Sequence, residues 1–181
     1  MKICVFCGSS TGFSPVFAEM AKNFGTLLAK NSITLVYGGG NVGLMGILAD
    51  AVMDHEGEVI GVIPDFLLKR EVGHRGISKL EIVDSMHQRK KRMADLADAF
   101  IALPGGWGTL EELAEVLTWR QLHLINQPVG VLNLNNFFGP LIEQMRHMAE
   151  HGFLKPDFMK LLHIEESGEK LLHAISKQQV A

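Results

Sequence analysis

Cysteine is scarce in this sequence, and long apolar runs and a surplus of positive charge are missing altogether. The two cysteines, Cys4 and Cys7, stand as C-x-x-C, but a redox pair belongs at a helix start and a zinc site needs two more ligands. Both fall in a predicted strand, where a separation of three points them to opposite faces, and they read as buried thiols. A net charge of −3 gives no general attraction to nucleic acid or to an anionic membrane, so any anion recognition must be local. No stretch approaches the roughly 20 apolar residues of a membrane span, and MKICVFCGSS is too short for a signal h-region. The expected location is the cytoplasm. There is no low-complexity segment, no linker and no repeat beyond a recurring strand-helix unit. At 181 residues and 47% hydrophobic, residues 1–181 read as a single domain with a sizeable core.

What is present is organised around Ala99 to Leu124. Ala99 to Leu103 is apolar without alternation, as in a strand buried on both faces of a parallel sheet, and Pro104 ends it. Gly105, Gly106 and Gly108 follow. Thr109 is the expected N-cap of a helix whose apolar stripe runs through Leu110, Leu113, Ala114, Leu117, Gln121 and Leu124. A glycine loop opening a helix gathers free N–H groups at the positive end of a dipole, which suits a phosphate. The same letters also spell a capping box, Thr109 with Glu112, in which the carboxylate only closes the helix end.

The grammar of strand, turn and helix recurs. Strands are expected at Lys2 to Cys7, Ile33 to Tyr37, Glu58 to Ile63, Leu80 to Val83 and Val129 to Leu132. Helices are expected from about Pro15, after GGGNVGLMG to about His55, from near Ser85, from Phe137 to about Gly152, and from near Ser167 to Gln178. Asp65 to Ser78 reads as a long loop, a candidate lid or site wall. This order implies an α/β fold, a doubly wound parallel sheet of Rossmann-like type. Gly38, Gly40 and Gly43 fit G-x-G-x-x-G, but on the second βα turn and with Glu58 at the start of its strand, which argues against a nicotinamide oxidoreductase. Backbone amides there could still approach a phosphate or ribose. Ligands of such sheets bind beyond the carboxyl ends of the strands. Gly8, Ser9, Gly39, Gly40 and Met86 are therefore candidates for a further phosphate or ribose wall.

The helix SMHQRKKRMADLADA carries a conflict. Its buried stripe, Met86, Met93 and Ala97, passes through Arg89 and Lys90, and charge on an inward face is costly unless paired. Lys91 and Arg92 fall on the outer faces. HMAEH, from His147 to His151, has the H-x-x-E-H spacing of some metallopeptidases, but too little chain follows to complete a ligand set. It reads as a solvated face, and no metal is expected.

Taken together, VYGGGNVGLMG, SMHQRK and LPGGWGTLEELAEVLTW closely resemble the Lonely Guy (LOG) family of phosphoribohydrolases, whose signature is PGGxGTxxE. The resemblance runs over nearly the whole chain. It implies hydrolysis of the N-glycosidic bond of a nucleoside 5′-monophosphate such as AMP or an N6-substituted analogue. The products are free base and ribose 5-phosphate, with no cofactor. It places substrate contacts on Glu71, Arg89, Lys90, Gly106, Trp107, Gly108, Thr109, Leu110, Glu111, Glu112 and Thr118, with Arg89 and Glu112 as the catalytic pair. It also implies a homodimer with sites near the interface. Members have carried a lysine decarboxylase label, yet no lysine here has the setting of a pyridoxal phosphate anchor. The alternative of another class is a nucleotide-binding regulatory module with the same pocket and no turnover.

Overall fold

A computed structural model describes residues 1–68 and 73–178. Seven strands lie in one parallel sheet: β1 (Lys2–Phe6), β2 (Thr34–Tyr37), β3 (Val59–Pro64), β4 (Lys79–Val83), β5 (Ala99–Ala102), β6 (Val129–Leu132) and β7 (Leu162–Glu165). Their order across the sheet is β4-β3-β2-β1-β5-β6-β7, and every pairing is parallel. The chain winds outward from β1 to β4, then returns to the other side of β1 as β5. The switch point is therefore the gap between the carboxyl ends of β1 and β5, where such sheets leave a crevice.

Helices cover both faces, as parallel strands require. On one side α1 (Pro15–Lys30), α2 (Gly43–Met53) and α7 (Gly168–Gln178) pack over Ile3, Val5, Leu35, Tyr37 and Ile101. On the other, α4 (Met86–Leu96), α5 (Trp107–Gln121) and α6 (Gly139–Glu150) cover Cys4, Phe6, Val36 and Phe100. Successive residues of each strand thus feed opposite layers. Cys4 and Cys7 obey that rule, lying as free thiols in different layers. Among the described residues no helix is long and apolar enough to cross a membrane.

Four expectations need correction. The segment 162–165, which is not among the strands expected from the sequence, is the edge strand β7; only Leu162 is buried in it, so apolar content gave little warning. The long loop after β3 begins as one helical turn, α3 (Asp65–Leu68), and is pinned at Gly73 by an antiparallel bridge to Gly40. Helix α5 starts three residues early, with Gly106 as N-cap and no side-chain cap, so Thr109 lies inside the helix and Thr109 and Glu112 form no capping box. Its buried stripe is accordingly rotated to Thr109, Leu113, Val116 and Arg120. Ala114 is exposed, and Leu124 lies past the helix end and is 68% exposed.

Candidate active site

Three loops meet at the switch point because glycine lets their backbones touch. Gly8 N–H donates to the Pro104 carbonyl at 3.1 Å, tying the β1 loop to the β5 loop. A Cβ on Gly105 would stand 2.1 Å from Thr109 Oγ1, so this glycine serves packing. Gly43, at φ +61, passes so close to Ser9 that a Cβ would lie 2.2 Å from its carbonyl carbon, and Leu44 N–H donates to Gly8 O at 3.0 Å. The start of α2 is thus occupied by the β1 loop. G-x-G-x-x-G here joins loops, while Gly38 at its head lines the cleft described next. Gly106 and Gly108 differ, since a Cβ on either meets nothing within 4 Å. The start of α5 faces open space, with the unpaired N–H groups that every helix start carries.

That space is a cleft of about 180 Å³ lined by Gly8, Ser9, Gly38, Met86, Arg89, Gly106, Trp107, Gly108, Thr109, Glu111 and Glu112, over a floor that includes Cys7. Arg89 enters it from α4. Ser85 caps that helix by accepting from Gln88 N–H at 3.2 Å, which sets Arg89 and Met93 on the inward stripe, 6% and 2% exposed. The guanidinium donates to Gly38 O at 3.0 Å and lies 3.7 Å from Met86 Sδ. Its Nε is buried without a partner among the described residues. A cation with five donors and one oxygen acceptor in a dry setting is short of an anion. Gly38 is glycine for this reason, because a Cβ there would stand 1.9 Å from the guanidinium.

Glu112 faces the same space from α5. Burial pushes its carboxyl up to about 7; Arg89 and Lys90 pull it down, while Glu111 and Glu115 push it further up. Burial therefore outweighs the nearby cation, leaving a carboxyl poised to hold or release a proton at neutral pH. Beneath it, burial and then Glu112 raise the Cys7 thiol, which stays neutral.

The structure does not gather every candidate. Lys90 is not in the cleft lining: its ammonium sits between Glu111 and Glu115, at 2.5 and 3.1 Å, tying α4 to α5. Leu110 is half-buried outside it. Thr118 is exposed and donates to Ala114 O at 2.8 Å. Gly39 and Gly40 turn away, and Gly38 of the same run takes their place on the wall. Glu71 lies outside the described residues. Lys91 is solvated as expected and pairs with Asp95; Arg92, expected on an outer face, is half-buried and bonds Glu81 at 2.6 Å through Nε. His147 and His151 stand on the outside of α6, and among the described residues no three potential metal ligands come together.

Fold and cleft together define a doubly wound α/β protein with a cleft at its switch point. The fold is shared with the molybdenum cofactor carrier protein of Chlamydomonas reinhardtii, with a TM-score of 0.74 at 18% identity over 99% of this chain and 98% of that one. A family profile described as "Possible lysine decarboxylase" matches residues 45–175. Cytokinin riboside 5′-monophosphate phosphoribohydrolase LOG7 of Arabidopsis thaliana is 43% identical over 178 residues, covering 98% of this chain and 82% of that one. The protein of the same function name from Rhodococcoides fascians is 48% identical over 155 residues, covering 85% and 78%. The chain belongs to this LOG family. As for the decarboxylase description, no lysine is among the described residues lining the cleft, where an anchored pyridoxal phosphate would need one.

Proposed function

We propose that this chain hydrolyses the N-glycosidic bond of nucleoside 5′-monophosphates carrying adenine or an N6-substituted adenine, releasing the base and ribose 5-phosphate. The reaction comes from the names of its relatives. The observation that carries it onto this chain is the convergence of an anion-short Arg89 and a carboxyl of raised proton affinity, Glu112, in one cleft at the start of α5.

In this reading the phosphate takes the free N–H groups of Trp107, Gly108 and Thr109, and remote binding aligns the sugar. Arg89 holds its charge throughout and serves positioning and electrostatics. As the C1′–N9 bond breaks, its electron pair leaves with the base and positive charge builds on the ribose. Ionised Glu112 interacts more strongly with that oxocarbenium ion than with the ground state. Water then adds to C1′ and gives its proton to Glu112, which suits a carboxyl near 7. Overall the hydroxyl of water ends on C1′ and its proton on the base, with no cofactor or metal in the scheme.

About 180 Å³ is below the roughly 300–1,000 Å³ usual for small-molecule sites. It suits a sugar phosphate, with the base at the rim beside Trp107, which is 86% exposed. A second copy of the chain closing that rim fits the homodimer expected from the sequence; Lys90 and Thr118 belong to this outer part of the site. Two buried, unpaired thiols favour the cytoplasm.

Incubation with AMP and with isopentenyl-AMP, followed by chromatography, tests the reaction. Free base and ribose 5-phosphate are expected. Saturable AMP binding in calorimetry without products would make the protein a nucleotide-binding module instead.

A further inference from the structure

Arg89 is aimed by a backbone carbonyl, and that carbonyl belongs to a turn with little rigidity of its own. Gly38, Gly39 and Gly40 follow one another, and Gly39 is left-handed at φ +75. Three successive glycines hold no conformation without outside ties. The tie comes from His74, a residue that is not in the cleft lining.

His74 is 7% exposed and makes three bonds. Its backbone N–H donates to Gly39 O at 2.9 Å. Its Nδ1 accepts from Gly76 N–H at 3.2 Å, which assigns the ring proton to Nε2. Nε2 then donates to Asp50 Oδ1 at 2.9 Å. Asp50 stands on α2, the helix whose start is fixed against Gly8 and Ser9. His74 therefore links a rigid helix, bound through its imidazole, to the glycine turn, bound through its backbone N–H, and the turn presents Gly38 O to Arg89 at 3.0 Å. The Gly40–Gly73 bridge beside it adds backbone pairing but no side chain.

We propose that His74, held by Asp50, is a positioning residue for Arg89: it fixes the Gly38–Gly39 turn that sets where the guanidinium points into the cleft. This rests on the reading of Arg89 as part of the reacting site. A buried cation with one oxygen acceptor has few other restraints, so freedom in that turn passes to the guanidinium. Misplacement of a catalytic group by about 1 Å is enough to cost on the order of 100-fold in rate.

The test uses His74→Phe, which keeps a ring and removes both ring bonds, and His74→Gln, whose amide N–H can still reach Asp50. Asp50→Ala is a third variant, at an exposed side chain where folding is not at risk. Turnover of isopentenyl-AMP should fall about 10-fold or more in His74→Phe, recover substantially in His74→Gln and fall more mildly in Asp50→Ala. In an Arg89→Ala background, adding His74→Phe should change residual turnover by less than about 2-fold, since residues acting through one group are not additive. An equal, independent loss in that background, or turnover in His74→Phe within about 2-fold of wild type, overturns the proposal. A readout independent of activity is the Arg89 Nε–Hε NMR resonance, assigned by its loss in Arg89→Lys. It should shift or broaden in His74→Phe and stay near its wild-type position in His74→Gln. If wild type releases no base yet this resonance behaves as stated, the reaction assignment fails and the positioning role stands. An unmoved resonance in His74→Phe overturns the positioning role whatever the turnover.

Discussion

Glu112 pays for its function in stability, and the sign of that cost can be worked out. Folding raises its carboxyl from an ordinary 4.5 to about 7, chiefly by burial. Between those values the folded chain binds more protons than the unfolded one, so this group's contribution declines as pH rises from about 4.5 through about 7. Glu112→Gln removes the buried charge. At pH 8 its melting temperature should exceed that of wild type by about 3 °C or more, while at pH 4.5 the two should coincide. A fall at both values, read by calorimetry, would mean that the carboxylate supports the fold. Arg89 invites the same comparison. Its buried Nε has no partner among the described residues, and an apolar side chain in place of a poorly paired buried charge is often neutral or stabilising. Arg89→Met should therefore melt no lower than wild type and lose AMP binding in calorimetry. Both residues could be singled out in the sequence, Arg89 because an arginine on an inward stripe needs an anion. His74 could not, because its partner Asp50 is 24 positions away and no local pattern joins them.

At the scale of elements, the glycines around the site separate into those that serve packing and those that serve a ligand. A methyl group on Gly106 meets nothing within 4 Å, so Gly106→Ala should stay within about 0.5 kcal/mol of wild-type stability yet weaken AMP binding. Gly43→Ala should do the opposite, since its φ of +61 and the Ser9 backbone leave no room for a Cβ; a loss of at least about 1 kcal/mol is expected in urea unfolding. Equal behaviour of the two variants would remove the distinction. The recurrence of strand, turn and helix made six of the seven strands legible. What failed was phase at element ends. Threonine is a strong cap, so the sequence points to Thr109 as the start of α5, whereas Gly106 fills that place with no side chain at all. One consequence was a rotated stripe, with Leu124 assigned to a core it does not enter. Nor can the sequence of the glycine run after β2 show that Gly8 O accepts from Leu44 N–H at the start of α2.

For the whole molecule, parallel winding puts both catalytic candidates at the one crevice that the topology creates. A broader groove lies at the opposite end of the strands, lined by Trp119, Leu124 and Ile125 among others, where a parallel sheet does not place its ligand. Leu122 and Leu124 are more than half exposed beside it. Such apolar side chains at the end of α5 offer a contact between copies of the chain that competes with the one proposed at the cleft rim. Leu124→Glu should shift sedimentation toward the monomer, and an unchanged dimer would place the contact elsewhere.

The most direct measurement is kcat/KM against pH for release of base from isopentenyl-AMP, with wild type and Glu112→Gln side by side. The wild-type rate should rise with an apparent pKa near 7, as Glu112 ionises. The variant's rate should be lower by at least about 100-fold and without that rise. A variant within about 3-fold of wild type across the range, or a wild type that releases no base at any pH, would contradict this reading.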